Sequence, residues 1–361
     1  MENLSRGQNG IERAVNLLCA LYSDYGFTQY KMSKFEEYDL YVKNKDFLVS
    51  KNVITFTDTD GKLMALKPDV TLSIIKNGSY GEGVEKLFYN ETVYRVSKGT
   101  KSFKEFMQVG LECLGEIDDY QVSEALFLAA KSLESLSQRF VLDISHLGIV
   151  KGVLDQLNIN QSAKSEILSY IGEKNIQAVK SVCERERVNE AQSAAVRTLV
   201  EVYGNPDIVI EKLKGLNLSG ETACALTELE NIINALKAFG LKDKINVDFS
   251  VIDDMNYYNG IVFKGFISGI PTAILSGGQY DKLMQKMGKN SRAIGFAVYL
   301  DELEKLFDAS SGLVVDVAIE YGNKSASEVS KKVKELREAG KTVVALKKVP
   351  QNMRYTELIV L

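Results

Sequence analysis

A single histidine, His146, serves the whole 361-residue chain. Histidine-based triads, paired-histidine metal sites and histidine acid–base pairs are therefore nearly excluded. His146 stands in DISHLGIV, between a strand-like and a helix-like run, where capping or packing is expected of it. Cysteine is almost as scarce: Cys19, Cys113, Cys183 and Cys224 are scattered, with no C-x-x-C. Neither a zinc knuckle nor a disulfide framework is expected, and each cysteine, set among apolar neighbours, reads as a small buried hydrophobe. No apolar run approaches the ~18–20 residues of a membrane helix. The opening MENLSRGQNG has no apolar h-region, so a cytoplasmic protein without membrane association is expected. Lys and Arg number 44 against 48 Asp and Glu, a net charge of −4, which argues against a protein built to grip nucleic acid. No G-x-x-x-x-G-K-[ST] occurs, and neither a cofactor nor a metal is called for. Internal repeats and low-complexity segments are absent as well.

What is present is a clear alternation of patterns. Residues 11–24 carry Val15, Leu18, Cys19 and Tyr22 on one helical stripe, with Gly26 at a C-cap-like position. VITFTDTDGKLMAL alternates around Asp60-Gly61, a strong hairpin signal. KLFYNETVYRV and SFKEFMQVGLECLG predict two strands joined by a polar loop. A helix over 123–136 and a strand over 140–144 follow. From Leu147 to about Lys244 helical periodicity dominates, as in Leu226, Leu229, Ile233 and Leu236. Strand character returns at INVDFSVI, IVFKGFI and PTAILS, and helices are expected over 282–287 and 293–307. The tail holds the strand LVVDVAIEYG, a capping box at Ser325-Ala326-Ser327-Glu328, a helix ended by Gly340, and the strands KTVVAL and TELIVL. This order implies an α+β fold with one sheet built from both ends of the chain.

Several stretches together resemble the histidyl-tRNA synthetases, which are class II aminoacyl-tRNA synthetases. ALKPDVT (65–71) is similar to that family's L-R-P-E-G-T. VYRV…FKEFMQVGLECLG (93–115) resembles its motif 2 strands, and DDMNYYNGIVF (253–263) its R-G-L-D-Y-Y-T-G-T-V-F. SGGQYDKLMQKMG…AIGFAVYLDEL (276–303) resembles G-G-G-R-Y-D-G-L and the motif 3 helix. The resemblance implies a synthetase-like antiparallel sheet with flanking helices over 1–146 and 246–310. It also implies a helical insertion over 147–245 and a small βαβ-like α/β unit over 312–361.

The departures bear on chemistry. In the synthetases an arginine opens the two-tyrosine motif, and another ends motif 3; here Asp253 and Glu302 match them. The motif 2 glutamate becomes Ser97, the arginine before the return strand becomes Ser102, and the G-G-R arginine becomes Gln279. The motif 1 proline becomes Ser33, whereas the motif 2 arginine remains as Arg95. Adenylation concentrates negative charge on a pentacoordinate phosphorus that fixed cations must stabilise. Exchanging one such arginine for a carboxylate swings the local energy by about 6 kcal/mol at an effective dielectric near 20, on the order of 10⁴-fold in rate. The expectation is a protein that forms no aminoacyl-adenylate.

The amino-acid side differs. The family's contacts to the α-ammonium group match Asp69, Thr71 and Gln108, and its imidazole contacts match Glu112 and Tyr258, with Tyr257 and Arg95 alongside. A carboxylate, a hydroxyl and an amide oxygen are acceptors suited to an ammonium group. Gln108 and Glu112, four apart in a strand, point to one side.

A synthetase-like body without ATP cations resembles the regulatory subunits of ATP phosphoribosyltransferase, the first enzyme of histidine biosynthesis. That resemblance implies a non-catalytic chain and a short-form catalytic subunit as partner. It also implies histidine as effector and a homodimer within a larger hetero-oligomer. Two rivals stay open: a synthetase-like ligase with rearranged ATP contacts, and an RNA-binding module. From Leu313 onward nine Lys/Arg against six Asp/Glu give +3, too slight to favour the latter.

Overall fold

The structure, a computed structural model, describes residues 10–44, 48, 53–78, 83–96, 102–216, 218–252, 257–303, 314–351 and 353–361. Helix α1 (Gly10–Asp24) buries Ala14, Leu18 and Tyr22, with Val15 and Cys19 half-buried. It ends before Gly26, whose φ of 79° is open to glycine without strain. Strand β1 (Thr28–Gln29), β2 (Phe35–Glu37) and helix α2 (Tyr38–Lys43) follow. Strands β3 (Thr55–Thr57) and β4 (Leu63–Leu66) form the hairpin expected at Asp60-Gly61. The Asp58 carboxylate closes that turn, accepting the Asp60 and Lys62 N–H groups at 2.9 Å each. Together β2, β4 and β3 make a small antiparallel sheet.

After helix α3 (Thr71–Asn77) come the long strands β5 (Val84–Val96) and β6 (Phe103–Gly115), paired antiparallel along their whole length. Helix α4 (Asp119–Leu136) starts four residues before its expected first turn, because Asp118 and Gln121 form a capping box. Strand β7 (Phe140–His146) ends at His146, which caps α5 (Leu147–Asp155): its Nδ1 accepts the Gly148 N–H at 3.1 Å. A helical run then holds α6 (Gln161–Gly172), α7 (Ile176–Arg185) and α8 (Glu190–Glu201), the two-residue β8 (Tyr203–Gly204), α9 (Pro206–Lys214) and α10 (Gly220–Ala238). Asn160, Asn175, Asn189 and Asn205 cap α6 to α9 with their side-chain oxygens, so each helix start is written locally.

Strands β9 (Ile245–Asp248), β10 (Ile261–Ile267) and β11 (Leu275–Gln279) return the chain to the sheet, followed by helix α11 (Asp281–Lys286) and strand β12 (Arg292–Tyr299). The helix expected over 293–307 is therefore corrected: up to Tyr299 this segment is a central strand, followed by a 3₁₀ turn over Leu300–Leu303. AIGFAV is apolar on both faces because β12 is buried on both, so it lacks the period-2 alternation that identifies a strand. Residues 304–307 lie outside the described ones. Cysteine needs a second correction: Cys113 and Cys183 are buried, but Cys19 is only partly covered and Cys224 is exposed. In α10 the ~100° turn per residue buries Ala225 and turns its neighbour Cys224 outward.

The strands of residues 18–302 give a nine-stranded mixed sheet in the order β1-β5-β6-β12-β11-β10-β7-β9-β8, mostly antiparallel and drawn from both ends of the chain. Contacts divide the chain into residues 18–302 and residues 1–17 with 303–361. In the second unit β13 (Val314–Glu320), helix α12 (Ala326–Glu338), β14 (Val343–Leu346) and β15 (Arg354–Val360) form a parallel three-stranded sheet, β14-β13-β15. Leu336 of α12 packs with Val317 and Ile319, and the expected Ser325–Glu328 capping box is present. Among the described residues no helix is long and apolar enough to cross a membrane.

Candidate functional site

Register decides which side chains share a face of the large sheet. Glu112 on β6 lies beside Gly295 on β12, then Gly278 on β11 and Val262 on β10. The adjacent row on the same face is Gly110, Ala297, Ser276 and Lys264, and the next contains Gln108 and Tyr299. Small residues over β11 and β12 leave this face hollow. The start of α3, the Tyr257-Tyr258 turn before β10 and Tyr280 after β11 close over the hollow as a cavity of about 480 Å³. That is an ordinary size for a small-molecule site. Asp69, Thr71, Arg95, Gln108, Glu112, Tyr257 and Tyr258, seven residues scattered over 190 positions of sequence, all line it.

Glu112 is the centre of the wall. It is 2% exposed; Thr71 Oγ1 donates to its Oε1 at 2.7 Å and Tyr280 OH to its Oε2 at 2.6 Å. Burial pushes its carboxyl up to about 8, a rise that the two hydroxyl donors reduce and the nearby Asp69 increases. Gly295 makes the position possible: a Cβ there would sit 1.7 Å from Glu112 Oε2. Gly110 does the same for Tyr89, whose phenol oxygen would meet an added Cβ at 2.5 Å. Asp69 is also buried, and burial raises its pKa against the pull of Arg95 and of backbone N–H groups at the start of α3. Its Oδ1 accepts the Leu72 N–H at 2.9 Å, and Arg95 Nη2 is 3.9 Å from Oδ2. Arg95 Nε donates to the Pro68 carbonyl at 2.6 Å, which holds the guanidinium beside the acid. Tyr257 packs edge-on to Tyr258 at 4.7 Å and against Tyr280 at 5.9 Å between ring centres. Two acids, a hydroxyl, an amide and several phenols thus converge on one hollow. They can receive a cationic amine and a ring that both donates and accepts hydrogen bonds.

The positions matched to adenylation residues lie elsewhere. Gln279 is fully buried; its Oε1 accepts the Ile261 N–H at 2.5 Å and its Nε2 donates to Glu228 Oε1 at 3.4 Å. Glu302 accepts from Thr272 Oγ1 at 2.9 Å. Neither lines the cavity. Ser102 is exposed at the start of β6, and Ser33 accepts from the Phe35 N–H at 3.3 Å. Ser97 and Asp253 lie outside the described residues.

Behind Gln279 stands a second polar cluster. Glu228 of α10 lies 3.2 Å from His146 Nε2 and 3.3 Å from Arg292 Nη2. The hydrogen bond from His146, helped by the Arg292 charge, holds the Glu228 carboxyl at about 2, well below the usual carboxylate range. Among the described residues no three His, Cys, Asp or Glu side chains gather as metal ligands would.

Sequence reasoning missed Tyr280, Tyr89, Lys264, Ser276 and Tyr299, which also line the cavity. Two carried a signal: Tyr280 sits inside SGGQYD, and Lys264 is a lone cation in the otherwise apolar IVFKGFI. Nothing local marks the other three, whose place depends on strand register.

The histidyl-tRNA synthetase family model matches residues 2–303. An ATP phosphoribosyltransferase regulatory subunit from Alkaliphilus metalliredigens is 28% identical over 343 residues, 90% of this chain and 85% of its own length. One from Caldanaerobacter subterraneus is 30% identical over 289 residues, 78% of this chain and 75% of its own. A crystal structure from Bacillus halodurans C, described as an ATP phosphoribosyltransferase regulatory subunit/histidyl-tRNA synthetase, superposes with a TM-score of 0.79 at 22% identity, covering 99% of this chain and 97% of that one.

Proposed function

The chain belongs to the histidyl-tRNA synthetase family and, within it, to the ATP phosphoribosyltransferase regulatory subunits. From that premise we propose that it is the non-catalytic partner of a short-form catalytic subunit of ATP phosphoribosyltransferase, acting in the cytoplasm at the first step of histidine biosynthesis. Histidine is the ligand of the cavity. Asp69, Thr71 and Gln108 take its ammonium group, and Glu112 and Tyr258 take the two imidazole nitrogens. The observation that carries this reading is the convergence of all seven expected residues on one hollow, with Gln279 and Glu302 turned to other partners. The chain keeps groups suited to an amino acid in the cavity, whereas Gln279 and Glu302, which match nucleotide-holding arginines of the synthetases, face other partners outside it.

Regulation follows from linkage. Histidine shifts the assembly only to the extent that it binds one arrangement more tightly than another. A homodimer within the hetero-oligomer is the form in which we expect that shift to occur. The test is copurification with the catalytic subunit, followed by activity with and without histidine. The pair should be active and histidine-sensitive, and Glu112→Ala and Tyr258→Phe should blunt inhibition. Full histidine sensitivity in both variants would move the sensor elsewhere. Pyrophosphate exchange by this chain with ATP and histidine, well above background, would overturn the non-catalytic assignment.

A further inference from the structure

Glu112 stands in the cavity wall with one position on each oxygen already taken. Thr71 Oγ1 donates to Oε1 at 2.7 Å and Tyr280 OH to Oε2 at 2.6 Å. Behind it Gly295 leaves no spare room, since a Cβ there would lie 1.7 Å from Oε2. A proton on this carboxyl is therefore turned toward the cavity. The charged groups that share the cavity are Asp69 before α3, Arg95 on β5 and Lys264 on β10. Arg95 sits 3.9 Å from Asp69, and Asp69 is the one whose charge bears on Glu112, disfavouring its ionised form. The phenols of Tyr89 and Tyr257 are pushed well above their usual 10, by burial first and then by the two acids, and stay neutral. The acid thus holds its proton within a wall of neutral donors.

An imidazole ring seated against this acid brings a basic nitrogen to that proton. Left on the carboxyl, the proton wastes two hydroxyl bonds whose lengths, about 2.5–2.7 Å, are those of O–H donors to a carboxylate. Released to solvent, it leaves two buried carboxylates beside a single arginine. Moved to the ring, it makes a carboxylate with three donors, paired with a cation that a second acid also favours. Resting on the reading of the cavity as a histidine site, we propose that histidine is bound with its ring as the imidazolium cation, Glu112 being both its counter-ion and the source of the added proton. The balance is internal: the carboxyl O–H bond breaks, a ring N–H bond forms, and solvent neither gives nor takes a proton. The Tyr258 oxygen can accept from the other ring nitrogen. The site thereby favours a basic ring over one of the same shape that is not protonated.

Titration of the full chain with L-histidine ring-labelled with ¹⁵N at pH 7.5 tests this, because the free ring is then about nine-tenths neutral. Nitrogen NMR should place both ring nitrogens of the bound molecule at imidazolium positions, and calorimetry should give the same heat in buffers of different ionisation enthalpy. The wild type should bind 2-fluorohistidine, nearly the same shape but hardly basic, roughly ten- to hundredfold more weakly than histidine. Glu112→Gln, which keeps an acceptor but not the charge, should bind the two ligands about equally, and thermal melts report whether its fold is intact. A neutral ring spectrum in the wild-type complex, or equal wild-type affinity for the two ligands, overturns the imidazolium assignment alone. No binding of histidine by the wild-type chain overturns the histidine reading of the cavity, and this inference with it.

Discussion

Glu112 and Glu228 are the same side chain in two regions of one sheet-centred unit, and they are held in opposite states. Glu112, in the cavity wall, is surrounded by neutral donors, Thr71 and Tyr280, and by a second acid; burial pushes its carboxyl up to about 8. Glu228, at the junction of α10 with β7, β11 and β12, meets His146, Arg292 and Gln279, and its carboxyl is held at about 2. Two hydroxyl donors only soften the cost of burying Glu112, whereas the hydrogen bond from His146 together with the Arg292 cation reverses it at Glu228. The cavity therefore keeps an acid in need of a cationic or hydrogen-bonding ligand, whereas the junction has already satisfied its own.

The largest expected effect comes from titrating the first of these acids. The folded-state pKa of Glu112 is raised from about 4.5 to about 8, so its neutral form favours the fold. That contribution is fully present below pH 4.5 and is lost as pH rises through about 8. At about 1.36 kcal/mol per unit the loss approaches about 5 kcal/mol. Urea denaturation at pH 5 and pH 8 should show the decline, and Glu112→Gln should flatten it. A wild-type curve no steeper than that of the variant would erase the contrast between the two glutamates.

Gly295→Ala attacks the same wall from behind. Its Cβ would meet Glu112 Oε2 at 1.7 Å and the Leu111 carbonyl at 2.7 Å, and the second of these cannot swing away. A loss of about 2–4 kcal/mol is expected, with histidine binding lost alongside, by chemical denaturation and calorimetry.

At the junction, Glu228→Gln should cost about 1–3 kcal/mol at pH 7. Because the Glu228 pKa is lowered, its contribution is present above pH 4.5 and fades as pH falls toward 2. The penalty of the variant should narrow in acid, the reverse of the Glu112 trend. Histidine binding should change little, since Glu228 does not line the cavity.

The smallest change sharpens the comparison. Tyr280→Phe removes one of the two donors to Glu112, costs about 1 kcal/mol, and should move the pH midpoint of the Glu112-dependent transition upward. The pH dependence of the variant's thermal melting temperature reads that shift.

Much of this was legible locally. The Asp60-Gly61 hairpin, the paired strands around residues 84–115, the capping role of His146 and the Ser325–Glu328 box are all governed by residues adjacent in sequence. The seven cavity residues were visible through their motifs. Gly295 and Gly110 were not, because a glycine's role as the space for another side chain depends on which strand lies beside it. For the same reason β12 was misread: a strand covered on both faces loses the alternation that periodicity detects.

Sequence by itself determined most element types, β12 excepted, and the capped helix starts, since these rest on neighbours a few residues apart; the groups suited to an amino acid were legible only through the family resemblance. Tertiary structure alone decided the opposite pKa shifts of Glu112 and Glu228, the commitment of Gln279 to the Ile261 backbone, and the room that Gly295 leaves for Glu112. Those properties depend on burial and on strand register, which bring together groups that lie far apart along the chain.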